Sequence, residues 1–294
     1  MDGTKLQQAS ATYRASNTLH WLTRYSFLPL VAFTGIFGPL LVLMPGSTRD
    51  YWSWPIAPDL SAVWVGAGYT FGAVAISTML LRGRWTEAIV PILGTWPFSI
   101  VMLLATILHN DRFFTDTANY YIWLAIYLYL PFALPVMFVL NRSADPGANP
   151  SDRVLPTRVR LLLTTVGVMT GAYGLLLVCG LSAVVDTWPW PLTPLMAKVV
   201  GGWLLFIATG AMLTAVEARY AAYRYYFPVS AFWFALLLVA SIANSDDLDS
   251  GASGPLFLAA VMAAAVGSLG IFLLLERGSR RAISAEEHST PIAP

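Results

Sequence analysis

The sequence predicts an all-α integral membrane protein with eight transmembrane helices arranged as two parallel four-helix repeats. Three observations carry that reading: composition, the spacing of apolar runs, and a self-similarity at one offset. Of 294 residues 57% are hydrophobic and 11% are charged, with a mean hydropathy of +0.64, whereas a soluble domain carries about 25% charged residues. So little polar surface cannot cover a water-soluble fold of this length. The formal net charge of +1 lacks the basic excess of a nucleic-acid-binding face, so no nucleic-acid partner is expected and the lipid bilayer is the expected surrounding.

The elements follow in order. Lys5 to Tyr25 mixes Leu6, Tyr13, Leu19, Trp21 and Leu22 with Lys5, Arg14, His20 and Arg24. It lacks the layout of a signal peptide and reads as an interfacial lead-in. Apolar segments then run from Phe27 to Pro45, Leu60 to Leu81, Ala88 to Ile107, Tyr120 to Leu140, Leu161 to Val185, Pro194 to Val216, Phe227 to Ala243 and Pro255 to Leu275. Seven contain no charged residue, and the sixth contains only Lys198. Such lengths cross a hydrocarbon core of roughly 30 Å at about 1.5 Å per residue, and a helix satisfies its own backbone in lipid. Cys179, the one cysteine, falls in an apolar run and reads as a small buried hydrophobe.

Charge sets the orientation. With the amino terminus inside, the cytoplasmic segments hold 14 of the 17 Lys and Arg residues, and the outer loops hold only Arg49 and Arg112. That asymmetry satisfies the positive-inside rule and places both termini in the cytoplasm of a cell-membrane protein. Tyr220, Tyr223, Tyr225 and Tyr226, and at the outer boundary Tyr51, Trp52, Trp54, Trp188 and Trp190, read as interface-belt residues.

A shift of 136 residues lays Thr34 to Val42 on Thr170 to Val178, both reading T-G-x-x-G-x-L-L-V, and continues through Asp50/Asp186, Trp52/Trp188, Trp54/Trp190, Pro55/Pro191, Pro58/Pro194 and Gly66/Gly202. From Arg24/Arg160 to Thr78/Thr214 there are 16 identities in 55 positions. Pro91 with Trp96 and Pro228 with Trp233 keep one five-residue spacing. The expected halves are residues 1–146, with the interfacial segment, and residues 147–294, with a short cytoplasmic tail. Four helices per half makes the repeat parallel, with its axis along the membrane normal. Glycines at close spacing, Gly35 with Gly38 and Gly171 with Gly174, allow helices to approach closely.

The W-x-W-P-x-x-P segment lies between the first and second spans and again between the fifth and sixth. Its prolines stiffen the link and its tryptophans suit the headgroup layer, so each copy reads as an anchored loop or as half of an outer docking shelf. Trp188-Pro189-Trp190-Pro191-Leu192-Thr193-Pro194-Leu195, followed by Gly201-Gly202-Trp203, resembles a motif in bacterial multi-pass membrane proteins that have no established activity. The resemblance implies a bacterial origin and the membrane class, and transfers no site. The first copy departs from it at Ser53 and Asp59.

Single polar residues complete the candidates for a ligand or partner surface: Lys198, Asp59, His109 and the four loop tryptophans. Lys198 lies one turn into the sixth span. It either serves a ligand, with Asp59 or Asp186 as partner, or snorkels outward. His109 at the outer end of the third span reads as a titrating site or a surface group. The acidic loops around Asp111 and Asp116 and around Asp246, Asp247 and Asp249 lack the spacing of a calcium loop. Neither a catalytic elbow, a zinc cluster nor a phosphate-cradling loop occurs, so no catalytic residue, metal site or cofactor is expected. Three functions remain: a non-catalytic scaffold or partner subunit, with a membrane-protein partner or a second copy; a transporter or channel-like carrier of a small or apolar solute; and a membrane enzyme of unrecognised type.

Overall fold

The computed structural model describes residues 17–147 and 154–289, and for residues 220–222 and 278–289 the backbone alone. Residues 1–16 of the lead-in, Arg153 of the linker and residues 290–294 of the tail lie outside the described residues. The described residues are all-helical, without a strand, and eight helices are long and apolar enough to cross a membrane. They are α1 (Trp21–Leu43), α2 (Asp59–Arg82), α3 (Trp85–Leu108), α4 (Ala118–Asn141), α5 (Thr157–Val178), α6 (Pro194–Glu217), α7 (Tyr220–Ala243) and α8 (Ser253–Ser289). This is a multi-pass membrane protein.

Several boundaries differ from the hydropathy reading, among them the start of α7, at Tyr220 instead of Phe227. The stretch Trp21–Ser26 is already helical and runs into α1 through Phe27, whose φ of −87° and ψ of −10° keep it in the helical region. Helix α5 stops at Val178 instead of Val185, because Gly180 takes a left-handed φ of +71° and the chain restarts as a short turn at Ser182–Val185. Helix α8 continues beyond Leu275 to Ser289. Cys179 is exposed at the C-cap of α5, where the chain turns away from its neighbours.

Helix α1 packs on α2, α3 on α4, α5 on α6 and α7 on α8, while α2 meets α7 and α3 meets α6 across the centre. Glycines set the tightest crossings. A Cβ built on Gly66 falls 2.8 Å from the Gly38 carbonyl oxygen and 2.8 Å from the Val42 nitrogen; one built on Gly201 falls 2.6 Å from the Gly174 carbonyl oxygen and 3.0 Å from the Val178 nitrogen. Gly38 and Gly174 are 136 apart, but Gly66 and Gly201 are 135 apart. The residue that does in the second pair what Gly66 does in the first is therefore Gly201, and not the Gly202 of the ungapped shift. The same offset of 135 relates the bounds of α2 and α6, of α3 and α7, and the starts of α4 and α8. It sets Pro91 opposite Tyr226, so the shared Pro–Trp spacing does not belong to this register. One residue fewer between the loop tryptophans and the start of α6 accounts for the change.

Matching contacts occur at both ends. At the arginine-rich end, the Leu19 and Leu155 amides donate to the carbonyls of Gly83 and Ala218 at 2.8 and 2.9 Å, and Gly83 and Ala218 both have left-handed φ, +60° and +50°. At the tryptophan end, the Phe114 amide donates to Ser53 O (2.9 Å) and the Asp249 amide to Pro189 O (2.7 Å).

Candidate functional site: an aromatic cavity closed by a buried glutamate

The loop tryptophans do not lie out in a headgroup layer. Trp52, Trp54, Trp188 and Trp190 are 1%, 1%, 7% and 2% exposed, because the prolines turn each loop back over the helix ends. Trp52 and Trp54 pack with Phe33, Tyr69 and Trp123. Trp188 and Trp190 pack with Trp64 of α2 and Phe257 of α8, and the Trp190 ring N–H donates to the Ser61 hydroxyl at 3.0 Å. Asp247 ties the same region together by accepting from the Leu60 amide at the start of α2 (3.0 Å). The four tryptophans thus form core, which corrects both the belt and the shelf expectation.

Lys198 is half-buried. A Cβ on Gly180 would fall 3.8 Å from its Nζ, and no acid is within ion-pair distance of it among the described residues. Asp59 is instead beside Gly46 and Tyr51, and the two together push the Tyr51 hydroxyl up to about 12, burial first and the Asp59 charge second. His109, which caps α3, is close enough to Lys198 to feel its charge: burial and then the lysine hold its pKa below the ordinary histidine value, against a smaller opposing pull from Asp111. Its Nε2 is buried without a partner. Lys198 thus adds to the field at His109 and forms no ion pair with Asp59 or Asp186. No group of three or more metal-ligating side chains occurs among the described residues.

A different set of residues converges at the centre. Between α2, α3, α6 and α7, towards the arginine-rich end, lies a cavity with about 120 Å³ of open space. Its walls are aromatic: Phe71 stacks on Trp233 (4.6 Å between centroids) and Phe98 lies 4.4 Å from Trp203. Gly72 on α2 leaves part of the space open, since a Cβ there would meet only the Thr34 methyl, at 3.9 Å. The Tyr69 and Tyr127 hydroxyls, 2.7 Å apart, satisfy each other on one side.

Four other polar groups of the lining have no partner. The Trp203 and Trp233 ring N–H groups, the Tyr225 hydroxyl and both carboxylate oxygens of Glu87 are buried without a hydrogen bond. Glu87 is the most demanding. Its side chain is 4% exposed; Arg84 Nη1 is 3.7 Å from Oε1 and Arg82 Nε 3.9 Å from Oε2, close enough for attraction and too far for hydrogen bonds. Arg224 adds a third positive charge nearby. The Arg82 guanidinium lies 3.9 Å above the Tyr225 ring. An ion in such a site is costly unless paired and hydrogen-bonded, and this one is only paired.

Hydropathy alone starts the third span at Ala88, whereas Glu87 lies in the first turn of α3. Its signal was the pattern Arg84-Trp85-Thr86-Glu87 directly before an apolar run, an acid in the first turn of a helix. Tyr225 and Tyr226, expected at the interface, line the cavity instead, because α7 starts at Tyr220 and carries both residues into the bundle.

The motif resemblance of residues 188–203 stands by itself, for no protein-family model matches this chain, and no curated protein or solved structure matches it either.

Proposed function

We propose that this protein binds a small, largely apolar solute within the membrane and carries it through the centre of the bundle. The observation that carries the reading is the convergence of four unpartnered buried polar groups on one aromatic cavity. Ligand sites are concave, mostly apolar and furnished with a few convergent polar groups. An ionisable residue inside a membrane bundle is by default a functional candidate. The open space is somewhat smaller than the roughly 150 Å³ apolar cavity that holds a benzene, so the part of the solute it encloses is about that size.

In this proposal both termini face the cytoplasm of a cell membrane, two four-helix halves are related by a parallel two-fold axis, and the cavity lies where the halves meet. The offsets of 136 and 135, and the α2–α7 and α3–α6 crossings, support that arrangement. In a second reading the protein is a scaffold for another membrane protein or a second copy, favoured by α8, where only 6% of the residues of the apolar window are buried within the chain.

The test is a thermal-stability screen in lipid nanodiscs with benzene-sized solutes, on the wild type and on Gly72→Val. A bound ligand raises stability by mass action, and the valine occupies the open space. Solutes that stabilise the wild type and not Gly72→Val support the reading; a screen in which none stabilises the wild type, or all act alike on both, removes it.

A further inference from the structure

Resting on that reading of the cavity, we infer that the solute is neutral and carries a hydrogen-bond donor, as an alcohol or phenol does, with Glu87 accepting its hydrogen. Charge decides against the alternatives. A cationic head would be drawn to Glu87 but repelled by Arg82, Arg84 and Arg224, which act on the same carboxylate, three positive charges against one negative. An anionic head would satisfy the arginines but would have to sit against a carboxylate whose two buried oxygens already lack donors. A neutral hydroxyl offends neither. Its O–H supplies a donor to one of the two carboxylate oxygens, while the arginines at 3.7 and 3.9 Å keep supplying the countercharge.

The second polar group at this end fits the same head. Tyr225 has a buried hydroxyl with no partner, and its ring is held under Arg82. Its O–H can donate to the ligand oxygen while that oxygen donates to Glu87, so one hydroxyl pairs with Tyr225 and with one of the two Glu87 oxygens. The rest of the solute then lies against Phe71, Trp233, Phe98 and Trp203, where offset and edge contacts favour an aromatic ring. The site therefore selects by a hydroxyl at the arginine-rich end and an apolar body towards the centre.

The experiment compares 4-fluorobenzyl alcohol with 4-fluorotoluene, which lacks only the hydroxyl, by ¹⁹F NMR titration in phosphatidylcholine nanodiscs, with empty nanodiscs as the partition control. A hydrogen bond to a charged group is worth on the order of ten- to a hundredfold in affinity, so the alcohol should bind the wild type at least about tenfold tighter. Glu87→Gln should reduce that preference several-fold. Should Glu87→Gln not fold, Tyr225→Phe keeps the ring beneath Arg82 and should lower the preference by itself. An equal preference in wild type and variants overturns the inference, as does tighter binding of 4-fluorobenzylammonium or 4-fluorobenzoate. If neither neutral probe binds above the empty nanodisc, and Gly72→Val changes nothing, the cavity reading has failed and not merely the choice of head group.

Discussion

Adding one methyl group to α2 should have opposite effects six residues apart. In Gly66→Ala the new Cβ would lie 2.7 Å from Leu41 Cβ, 2.8 Å from the Gly38 carbonyl oxygen and 2.8 Å from the Val42 nitrogen. Two of those three atoms are backbone, so no rotamer change relieves the clash and α1 must move off α2 by about 0.7 Å to reach ordinary contact at 3.4 Å. Overpacking of this kind costs about 1–3 kcal/mol. Helical preference for Ala over Gly returns about 1 kcal/mol, which leaves a net loss of about 0–2 kcal/mol. In Gly72→Ala the nearest atom is 3.9 Å away, so only the gain remains. The helical gain is common to both, so the two variants should differ by the overpacking cost, about 1–3 kcal/mol, a large fraction of the stability of a typical domain. Equilibrium unfolding in mixed micelles with increasing dodecyl sulfate, followed by tryptophan fluorescence, measures both. Midpoints displaced equally and in the same direction would refute the close crossing of α1 and α2.

Further outcomes are expected elsewhere. Reporter fusions after Arg82, Asp116, Pro150, Asp186, Arg224 and Asp249 should alternate between inside and outside, and two neighbouring fusions on one side would break the eight-span topology. Trp52→Ala should cost about 3–5 kcal/mol as a buried ring is removed, whereas Trp21→Ala, at a residue 60% exposed, should stay within about 0.5 kcal/mol; equal effects would return Trp52 to the interface. Lys198→Met should raise the pKa of His109 because a neighbouring positive charge disappears, and an unmoved histidine titration would separate the two residues. Arg219 hydrogen-bonds Asp145 at 2.7 and 3.0 Å and holds its carboxyl below the ordinary 3.8. This contribution is complete above pH 3.8 and is lost as pH falls below it through the depressed value. Hydrogen exchange at residues 142–147 should accelerate there in the wild type, and Asp145→Asn should already be fast at neutral pH; identical profiles would remove the link.

Much of the fold was legible in one dimension. The Arg-rich loops, the apolar run lengths and the Trp-Pro segments located all eight spans, most to within a few residues. Boundaries slipped where one residue's conformation decided them, as at Gly180, or where a helix continued into less apolar sequence, as at Trp21–Ser26 and beyond Leu275. The candidate site was hardly legible at all. Lys198, Asp59 and His109 stood out because they are polar in apolar surroundings, yet Asp59 is apart from the other two. Glu87 looked like an ordinary loop acid.

The sequence by itself determined that the chain is a multi-pass helical membrane protein, because hydropathy is a sum over a segment and does not depend on which way a side chain faces. What the tertiary structure alone decided is the inward side of each helix. In lipid every face of a span is apolar, so the periodicity that marks the core side of a helix in water is missing. Which tryptophans became core, that Gly201 and not Gly202 meets Gly174, and that Glu87 closes a cavity shared by α2, α3, α6 and α7 depend on helix rotation and on the path of the loops. These follow from contacts between residues far apart in sequence, whose backbones approach only where a glycine leaves room.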